Sequence, residues 1–303
     1  MGASIKSLVR LMSLTNSGAL PPGAQICDIG ATQLFGAGNA EAAGNFLEFY
    51  ASRTDKAVRP DKVAPEKLAA IANNGFIGDL LILAGFGYTA LDIFHGTNTI
   101  LFDLNVHAPG PKLSGRFDLV MNFGTTEHVF NQLRSFQTIH DLTKVGGVIY
   151  HDLPMAGYVN HAFFRYDPLF FTTVRPANGY ESLLVEVSMG NVRRVPQELR
   201  AIGYTAENYF DAGIEAVFRK LTGDPFRIPM EASTALSIDP DFARVAADDY
   251  VVLPAGTSVN YGVGMDAKLG STIHLPNIGQ ATGRQLVEQL VARLRTRIAR
   301  WTA

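Results

Sequence analysis

RFDLVMNFGTTEHVFNQLRSFQTIHDLTKVGG, residues 116 to 147, is the stretch of the chain that says most about its structure. It predicts a buried strand over Phe117 to Phe123, a polar corner, an amphipathic helix over Val129 to Leu142 and a glycine stop. In an open α/β sheet, ligands bind beyond the carboxyl ends of the strands. Glu127 and His128 lie in that corner, so we expect this acid and this imidazole to face a ligand.

The segments on either side continue the alternation of strands and helices. Apolar runs predict strands at residues 24–29, 88–93, 99–104, 148–151 and 180–187, and helical spacing predicts helices at residues 5–14, 39–52, 65–73 and 78–84. This order favours an α/β fold with a doubly wound, mostly parallel sheet and helical insertions.

A second region follows the predicted sheet. The core is expected to cover residues 1–190, and residues 191–303 are expected to form a C-terminal extension on the substrate side or at an oligomer interface. This extension ends in an amphipathic helix at residues 283–301. A docked helix with a solvated basic face is favoured there, and a contact in a homo-oligomer is the alternative.

Composition narrows the classes of protein. The 303 residues carry a formal net charge of -2, which provides no global basic field, so we expect no nucleic-acid partner. No apolar run is long enough to cross a bilayer, and the first residues lack a long apolar core and a small-residue cleavage site, so we expect neither a membrane partner nor a secretory signal. The single cysteine, Cys27, excludes an internal disulfide and is typical of a cytoplasmic protein.

Three acidic residues fall at the ends of three predicted strands, namely Asp28, Asp92 and Asp103. Parallel strands end at one edge of a sheet, so these carboxylates are expected to lie along the same edge. A carboxylate at a strand end can accept hydrogen bonds from both hydroxyls of a ribose. The run Asp103-Leu104-Asn105 offers an acceptor, an apolar surface and an amide, which suit an adenine ring.

The first strand is followed by a poor phosphate loop. The run DIGATQ, residues 28–33, contains one glycine where a dinucleotide fingerprint has three. This argues against a nicotinamide or flavin dinucleotide and therefore against a Rossmann reductase. A nucleoside cofactor without phosphate tolerates such a loop.

These pieces resemble the class I S-adenosylmethionine-dependent methyltransferases from about Gln25 to about Glu186. The resemblance is carried by ICDIG, FDLN and FDLVMNFGTTEHVFN, and by NHAFF, DPLFF and NGY between residues 160 and 180. It implies a Rossmann-like methyltransferase fold, S-adenosylmethionine as cofactor and a small-molecule acceptor. The chain departs from the family in its degenerate first loop, at Gln33, and in the long spacing from Asp28 to Asp92, which requires inserted helices.

The resemblance also implies roles for individual residues. Asp28 and Gly30, with Gln33, border the methionine part of the cofactor, and Asp92, with Ile93, holds the ribose. Asp103, Leu104 and Asn105 flank the adenine, and Asn122, Phe123 and Gly124 pass beneath the sulfonium.

Histidines are the expected proton acceptors, because imidazole titrates near neutrality. His128 and His161 are the candidates for a catalytic base, and Glu127 is expected to orient His128 or bind an acceptor amine. His151 is a third candidate. A helix-terminal acid with packed histidines is the structural alternative. Histidine and aspartate do not repeat at ligand spacing, so no metal is expected.

The sequence thus leads to an enzyme that methylates an O or N atom of a small molecule, a sugar or natural-product intermediate. A non-catalytic methyltransferase-like module that binds a nucleoside or a partner protein is the alternative.

Overall fold

A computed structural model describes residues 2–35, 39–189, 192–194 and 211–230, all within the compact unit Met1–Glu231. The strands are β1 (Gln25–Ile29), β2 (Gly87–Asp92), β3 (Thr99–Leu101), β4 (Phe117–Phe123), β5 (Thr143–Ala156), β6 (Tyr180–Met189), β7 (Val192–Arg194) and β8 (Ala212–Lys220). The helices are α1 (Ile5–Asn16), α2 (Asn39–Ala51), α3 (Pro65–Ala72), α4 (Ile77–Leu83), α5 (Gln132–Leu142) and α6 (Pro168–Ala177), with short 3₁₀ turns at Pro60–Lys62 and Thr126–His128.

The described strands form one sheet in the order β3-β2-β1-β4-β5-β8-β6-β7. Strands β1 to β5 run parallel, whereas β8 is antiparallel to both β5 and β6. The direction of travel reverses between β1 and β4, which is the switch point where open α/β sheets bind ligands. The predicted α/β fold with a doubly wound, mostly parallel sheet and inserted helices is confirmed.

The sheet has a hydrophobic core on each face. Alternate side chains of a strand point to opposite sides, so each central strand contributes to both cores. On β4, Leu119 and Met121 join the core beneath α1, α2 and α4, while Val120 joins the core beneath α5 and α6. Ile26 and Cys27 of β1 divide in the same way. Strands β1 and β4 are therefore buried on both faces of the sheet.

Several predicted boundaries change. Gly146 and Gly147 do not cap α5, because the helix ends at Leu142 and both glycines lie in an irregular stretch of β5. Helix α5 begins at Gln132 rather than Val129, since Asn131 caps it by accepting a hydrogen bond from the Arg134 N–H. Helix α6 was not predicted, because its aromatic run masks the helical spacing.

The core extends beyond residue 190, its predicted end, because β8 pairs with β5 and β6 inside the sheet. The amphipathic helix predicted at residues 283–301 lies outside the described residues, and the role of the extension stays a prediction. Among the helices of the described residues, none is both long and apolar enough to cross a membrane.

An ionic cluster attaches α1 to the antiparallel part of the sheet. The fully buried Glu215 of β8 accepts from Arg10 Nε at 3.2 Å and from the Tyr150 hydroxyl at 3.0 Å, and it lies 3.0 Å from Lys6 Nζ. Arg10 also donates to Glu186 of β6 at 2.8 Å. Hydrogen bonds to buried charges are the stronger kind, so this contact holds α1 against the sheet.

We expect Arg10→Ala to lower the free energy of unfolding by about 1.5–3 kcal/mol, because it removes charged donors from a buried carboxylate. Arg59→Ala is the matched control, since Arg59 pairs with Asp61 on the exposed surface, where such pairs contribute about 0–1 kcal/mol. Denaturant unfolding of both variants measures the difference. Equal losses in the two variants would contradict this account of α1.

Candidate functional site

A cleft of about 280 Å³ lies where β2 and β4 end, beside the switch point of the sheet. It is lined by residues that follow these strands and β3: Leu91, Asp92, Ile93, Phe94, Phe102, Asp103, Leu104, Asn105, Gly124, Thr125, His128 and Val129. Among the described residues, this lining combines carboxylates with apolar and aromatic side chains and includes no lysine or arginine. Such a surface suits an uncharged nucleoside better than a phosphate.

Asp92 ends β2 and is held by main-chain donors. Its Oδ2 accepts from the Ala31 N–H at 2.7 Å, and its Oδ1 accepts from the Phe94 N–H at 3.0 Å. Each carboxylate oxygen can accept a second hydrogen bond. The fixed carboxylate therefore keeps capacity for two hydroxyl donors in the cleft.

Asp103 and Asn105 form a turn two residues beyond β3. Asp103 Oδ1 accepts from the main chain of Asn105 at 2.8 Å and from its amide at 3.0 Å. The Asn105 carbonyl and amide oxygens accept from Asn131, the residue that caps α5. Leu104 is buried and presents the apolar part of this turn to the cleft. The three residues predicted for adenine thus lie together on one wall.

Asn122 organises the corner that follows β4. Its Nδ2 donates to Thr126 Oγ1 at 2.9 Å and meets His151 Nδ1 at 3.1 Å, while its Oδ1 accepts from the Thr126 N–H at 3.3 Å. Burial lowers the pKa of His151 to about 3, so its ring is neutral and Nδ1 can accept. The Tyr166 hydroxyl donates to Thr126 from outside the sheet. His151 is consequently a packed partner of Asn122.

Of the corner residues predicted to lie beneath a sulfonium, Gly124 lines the cleft, together with Thr125. Asn122 is fully buried in the network just described, and Phe123 packs edge-on against Tyr150 with ring centroids 4.6 Å apart. Their side chains support the corner from below.

Gly30 lies in direct contact with the same corner. It has a φ of +95°, and a Cβ atom there would lie 2.3 Å from Thr125 Oγ1. Its N–H donates to the Leu91 carbonyl at 2.8 Å. Only glycine allows the ends of β1 and β4 to approach this closely, which explains the one glycine kept in the first loop.

Asp28 and Gln33 do not line the cleft. The Asp28 carboxylate is fully buried and accepts from the Thr32 N–H and hydroxyl and from the Tyr88 hydroxyl, all within 3.1 Å. Gln33 is exposed, and its carbonyl accepts from the Ala3 N–H. Asp28 therefore shapes the first loop from inside, and a cofactor contact by either residue stays a prediction.

Glu127, His128 and His161 lie together, although 33 positions separate His128 from His161 in the sequence. Glu127 Oε1 lies 3.9 Å from Nε2 of each histidine, and the two imidazole centroids are 4.9 Å apart. The side chain of Glu127 is fully buried and neither of its oxygens has a hydrogen-bond partner within the described part of the chain. Burial raises the pKa of Glu127 to about 7 and lowers the pKa of both histidines.

His161 reaches this cluster from the segment that follows β5. The Phe164 N–H donates to the Glu127 carbonyl at 3.1 Å, which ties this segment to the corner. Phe130 and Phe163 lie next to the cluster in sequence, are 74% and 68% exposed, and meet edge-on at 6.0 Å. Two exposed aromatic rings beside a polar cluster form an apolar rim suited to a ring-containing ligand. Tyr166, in the same segment, is buried in the core.

Sequence reasoning did not single out several residues of the cleft, namely Leu91, Phe94, Phe102, Thr125 and Val129. Phe94 carries the clearest missed signal, because it directly follows the strand-end pair Asp92-Ile93 and is 71% exposed. The position of an apolar residue after a strand-end acid could have indicated it.

Neither a protein-family model nor a curated protein sequence matches the chain. Several solved structures do match the chain. A Burkholderia thailandensis 1,6-didemethyltoxoflavin N1-methyltransferase, with bound 1,6-didemethyltoxoflavin and S-adenosylhomocysteine, is 14% identical over 71% of this chain and 78% of its own, with a TM-score of 0.37. A methyltransferase-like protein of Bacillus halodurans is 12% identical over 72% of this chain and 100% of its own, with a TM-score of 0.39. An S-adenosylmethionine-dependent methyltransferase from Archaeoglobus fulgidus is 12% identical over 70% of this chain and 93% of its own, with a TM-score of 0.37. At this level of similarity, function has to be inferred from the chain's own site.

Gly30→Ala is expected to lower the free energy of unfolding by about 2–5 kcal/mol, because it adds a left-handed backbone penalty to a clash with Thr125. Gly18→Ala is the control: Gly18 has a φ of +76° with open space around it, so only the backbone penalty of about 1–2 kcal/mol applies. Thermal and denaturant unfolding compare the two. If Gly30→Ala costs no more than Gly18→Ala, the two strand ends do not pack as described.

Asp28 predicts a specific pH dependence of stability. Burial raises its pKa from 3.8 to about 7, so between these values the folded state binds more protons than the unfolded state, and stability falls as pH rises. The Asp28→Asn variant lacks this loss. We therefore expect the unfolding free energy of Asp28→Asn, relative to wild type, to rise between about pH 4 and pH 7 by at most about 4 kcal/mol and to level off above. Unfolding at a series of pH values measures this, and a difference independent of pH would contradict it.

Proposed function

We propose that this chain is an S-adenosylmethionine-dependent methyltransferase that acts on an O or N atom of a small molecule. The observation that carries the proposal is the cleft at the switch point. It brings together the Asp92 carboxylate, the turn from Asp103 to Asn105 and Gly124, which follows β4. The resemblance of the motifs at these positions to class I methyltransferases supports the same function.

The residues of the cleft fit the parts of this cofactor. Asp92 can accept hydrogen bonds from the two ribose hydroxyls, because each of its oxygens accepts one main-chain N–H and keeps a second acceptor site. Ile93, Phe94 and Leu104 offer apolar surfaces to a purine, and Asp103 with Asn105 offers its polar edge hydrogen-bonding groups. The lining that the described part of the chain provides has no lysine or arginine, which fits a cofactor without phosphate and disfavours a dinucleotide.

When bound, the cofactor supplies a methyl group on a positively charged sulfur, which an attacking heteroatom can take. The chain's contribution is to position the acceptor and to exclude water. His128 reaches from the cleft to the cluster with Glu127 and His161, so we assign the activation of the acceptor to these three residues. The exposed Phe130 and Phe163 would hold an apolar ring of the acceptor beside them.

A nucleoside-binding module without catalysis remains the alternative, and one observation favours it. The main-chain N–H groups of Gly30, Ala31 and Thr32 are all used inside the protein, by Leu91, Asp92 and Asp28. These groups cannot also bind the carboxylate of a methionine moiety. Equal affinity for adenosine and S-adenosylhomocysteine would support the module, whereas a clear preference for the latter supports the enzyme.

Asp92→Ala tests the assigned ribose site by calorimetry with S-adenosylhomocysteine. We expect at least about a 100-fold loss of affinity, because two charge-assisted hydrogen bonds disappear. Asp55→Ala removes an exposed carboxylate outside the cleft and should bind like wild type. Asp92→Asn keeps the shape of the side chain and separates loss of charge from loosening of the loop. Wild-type affinity in Asp92→Ala would show that the ribose site is misplaced, and no binding to the wild type at millimolar ligand would contradict the function itself.

A further inference from the structure

In the cluster of Glu127, His128 and His161, one carboxylate oxygen and two imidazole nitrogens that can bind a metal ion lie close together. We propose that these three side chains bind a divalent transition-metal ion of the Zn²⁺ class and present it to the acceptor. The binding of the ion depends only on the cluster, whereas its role in catalysis rests on the methyltransferase function proposed above.

The buried carboxylate is the first observation. Glu127 is fully buried, and neither of its oxygens has a hydrogen-bond partner within the described residues. Nε2 of His161 also lacks a hydrogen-bond partner there. A buried carboxylate that accepts no hydrogen bond is costly, and a bound cation removes that cost.

The geometry is close to that of a metal site. One ligand atom from each of the three residues lies within 4.8 Å of the others, and Glu127 Oε1 is 3.9 Å from each imidazole Nε2. Around Zn²⁺, bonds of about 2.0–2.1 Å at tetrahedral angles place ligand atoms about 3.3 Å apart. Bringing each Glu127–histidine pair to this distance takes roughly 0.6 Å, and the widest separation closes by at most about 1.5 Å, which rotation of the partly exposed His128 and His161 side chains can supply.

The donor set selects the kind of ion. Two imidazoles and one carboxylate favour Zn²⁺, Fe²⁺, Mn²⁺ or Co²⁺, whereas Mg²⁺ and Ca²⁺ prefer oxygen ligands alone. Three protein ligands leave at least one coordination position open, as in catalytic sites.

The protein holds the ligands from two segments. Glu127 and His128 lie in the 3₁₀ turn after β4, which Asn122 and Thr126 fix from below. His161 comes from the segment after β5, which the Phe164 N–H joins to the Glu127 carbonyl at 3.1 Å. Two independently supported segments therefore meet at the cluster, which is the preorganisation that a metal site needs.

The location indicates what the ion would bind. His128 lines the cleft, and Phe130 and Phe163 form the exposed rim beside the cluster. A divalent ion lowers the pKa of a hydroxyl at its open position, so the proton leaves to solvent while the ion keeps its oxidation state. The acceptor class that fits is an aromatic or ring-bearing molecule with a coordinating hydroxyl or amine next to the ring.

The experiment measures metal binding on the full chain, without an affinity tag that carries histidines. The protein is freed of metal with a chelator and then titrated with Zn²⁺ by calorimetry and with Co²⁺ by visible absorption. We expect one ion per chain and the absorption of a low-coordinate Co²⁺ site. Glu127→Gln and His161→Asn should each lose more than about 100-fold in affinity, since changes to supporting residues alone cost 10–100-fold.

His95→Asn is the matched control, because His95 is exposed and lies outside the cluster. Circular dichroism checks the fold of each variant, and His161→Asn keeps the test informative if the buried Glu127→Gln misfolds. No saturable binding by the wild type, or wild-type affinity in folded His161→Asn, would overturn the proposal.

A parallel titration with S-adenosylhomocysteine separates the two proposals. Cofactor binding without metal binding would overturn the metal site and leave the methyltransferase standing. Metal binding without cofactor binding would leave the site and remove the catalytic role given to it.

Discussion

The hydrogen bonds of the Asn122 side chain are the interaction on which the rest of the site depends. With both its nitrogen and its oxygen used on Thr126, this fully buried amide fixes the chain as it leaves β4. Four residues of the site follow within six positions: Gly124 and Thr125 at the cleft, then Glu127 and His128. A neutral His151, kept so by burial, completes the arrangement from the neighbouring strand. The corner is rigid because its polar groups are satisfied inside the protein.

The contact of Gly30 with Thr125 joins this corner to the end of β1. It brings the loop after β1 and the corner after β4 together at the switch point. The same loop is bonded to β2, because the Gly30 N–H donates to the Leu91 carbonyl and the Ala31 N–H donates to the Asp92 carboxylate. The cleft is therefore built by strand ends that support one another. Its charge follows from the same residues, since the strand-end acids bring negative charge and the lining residues that the structure describes include no lysine or arginine to balance it.

Much of the fold could be predicted because apolar runs and glycine or asparagine breaks report local structure directly. The strands up to β4 and the inserted helices α3 and α4 were predicted in this way, as was the position of Asp92 and of the turn from Asp103 to Asn105. Boundaries were harder. Helix α5 begins at Gln132, capped by Asn131, rather than at the predicted Val129, and Gly146 and Gly147 lie in β5, because capping and bulges depend on the neighbours that the folded chain supplies.

The cluster could not be predicted as a unit. Glu127 and His128 are adjacent in sequence, but His161 joins them only because β5 and the following segment return to the corner. Spacing rules for metal ligands detect repeated positions on one element and therefore indicated no metal. The fate of Asp28 also depends on tertiary structure: the sequence gives no sign that Thr32 and Tyr88 surround its carboxylate and separate it from the cleft.

We propose above all that the cleft beyond β2 and β4 binds the nucleoside of S-adenosylmethionine. A crystal structure of the chain with S-adenosylhomocysteine tests it most directly. The account predicts ribose hydroxyls on the Asp92 carboxylate, adenine beside Leu104 and the sulfur near Gly124. A ligand bound elsewhere on the chain, or bound in this cleft with its ribose away from Asp92, would contradict it.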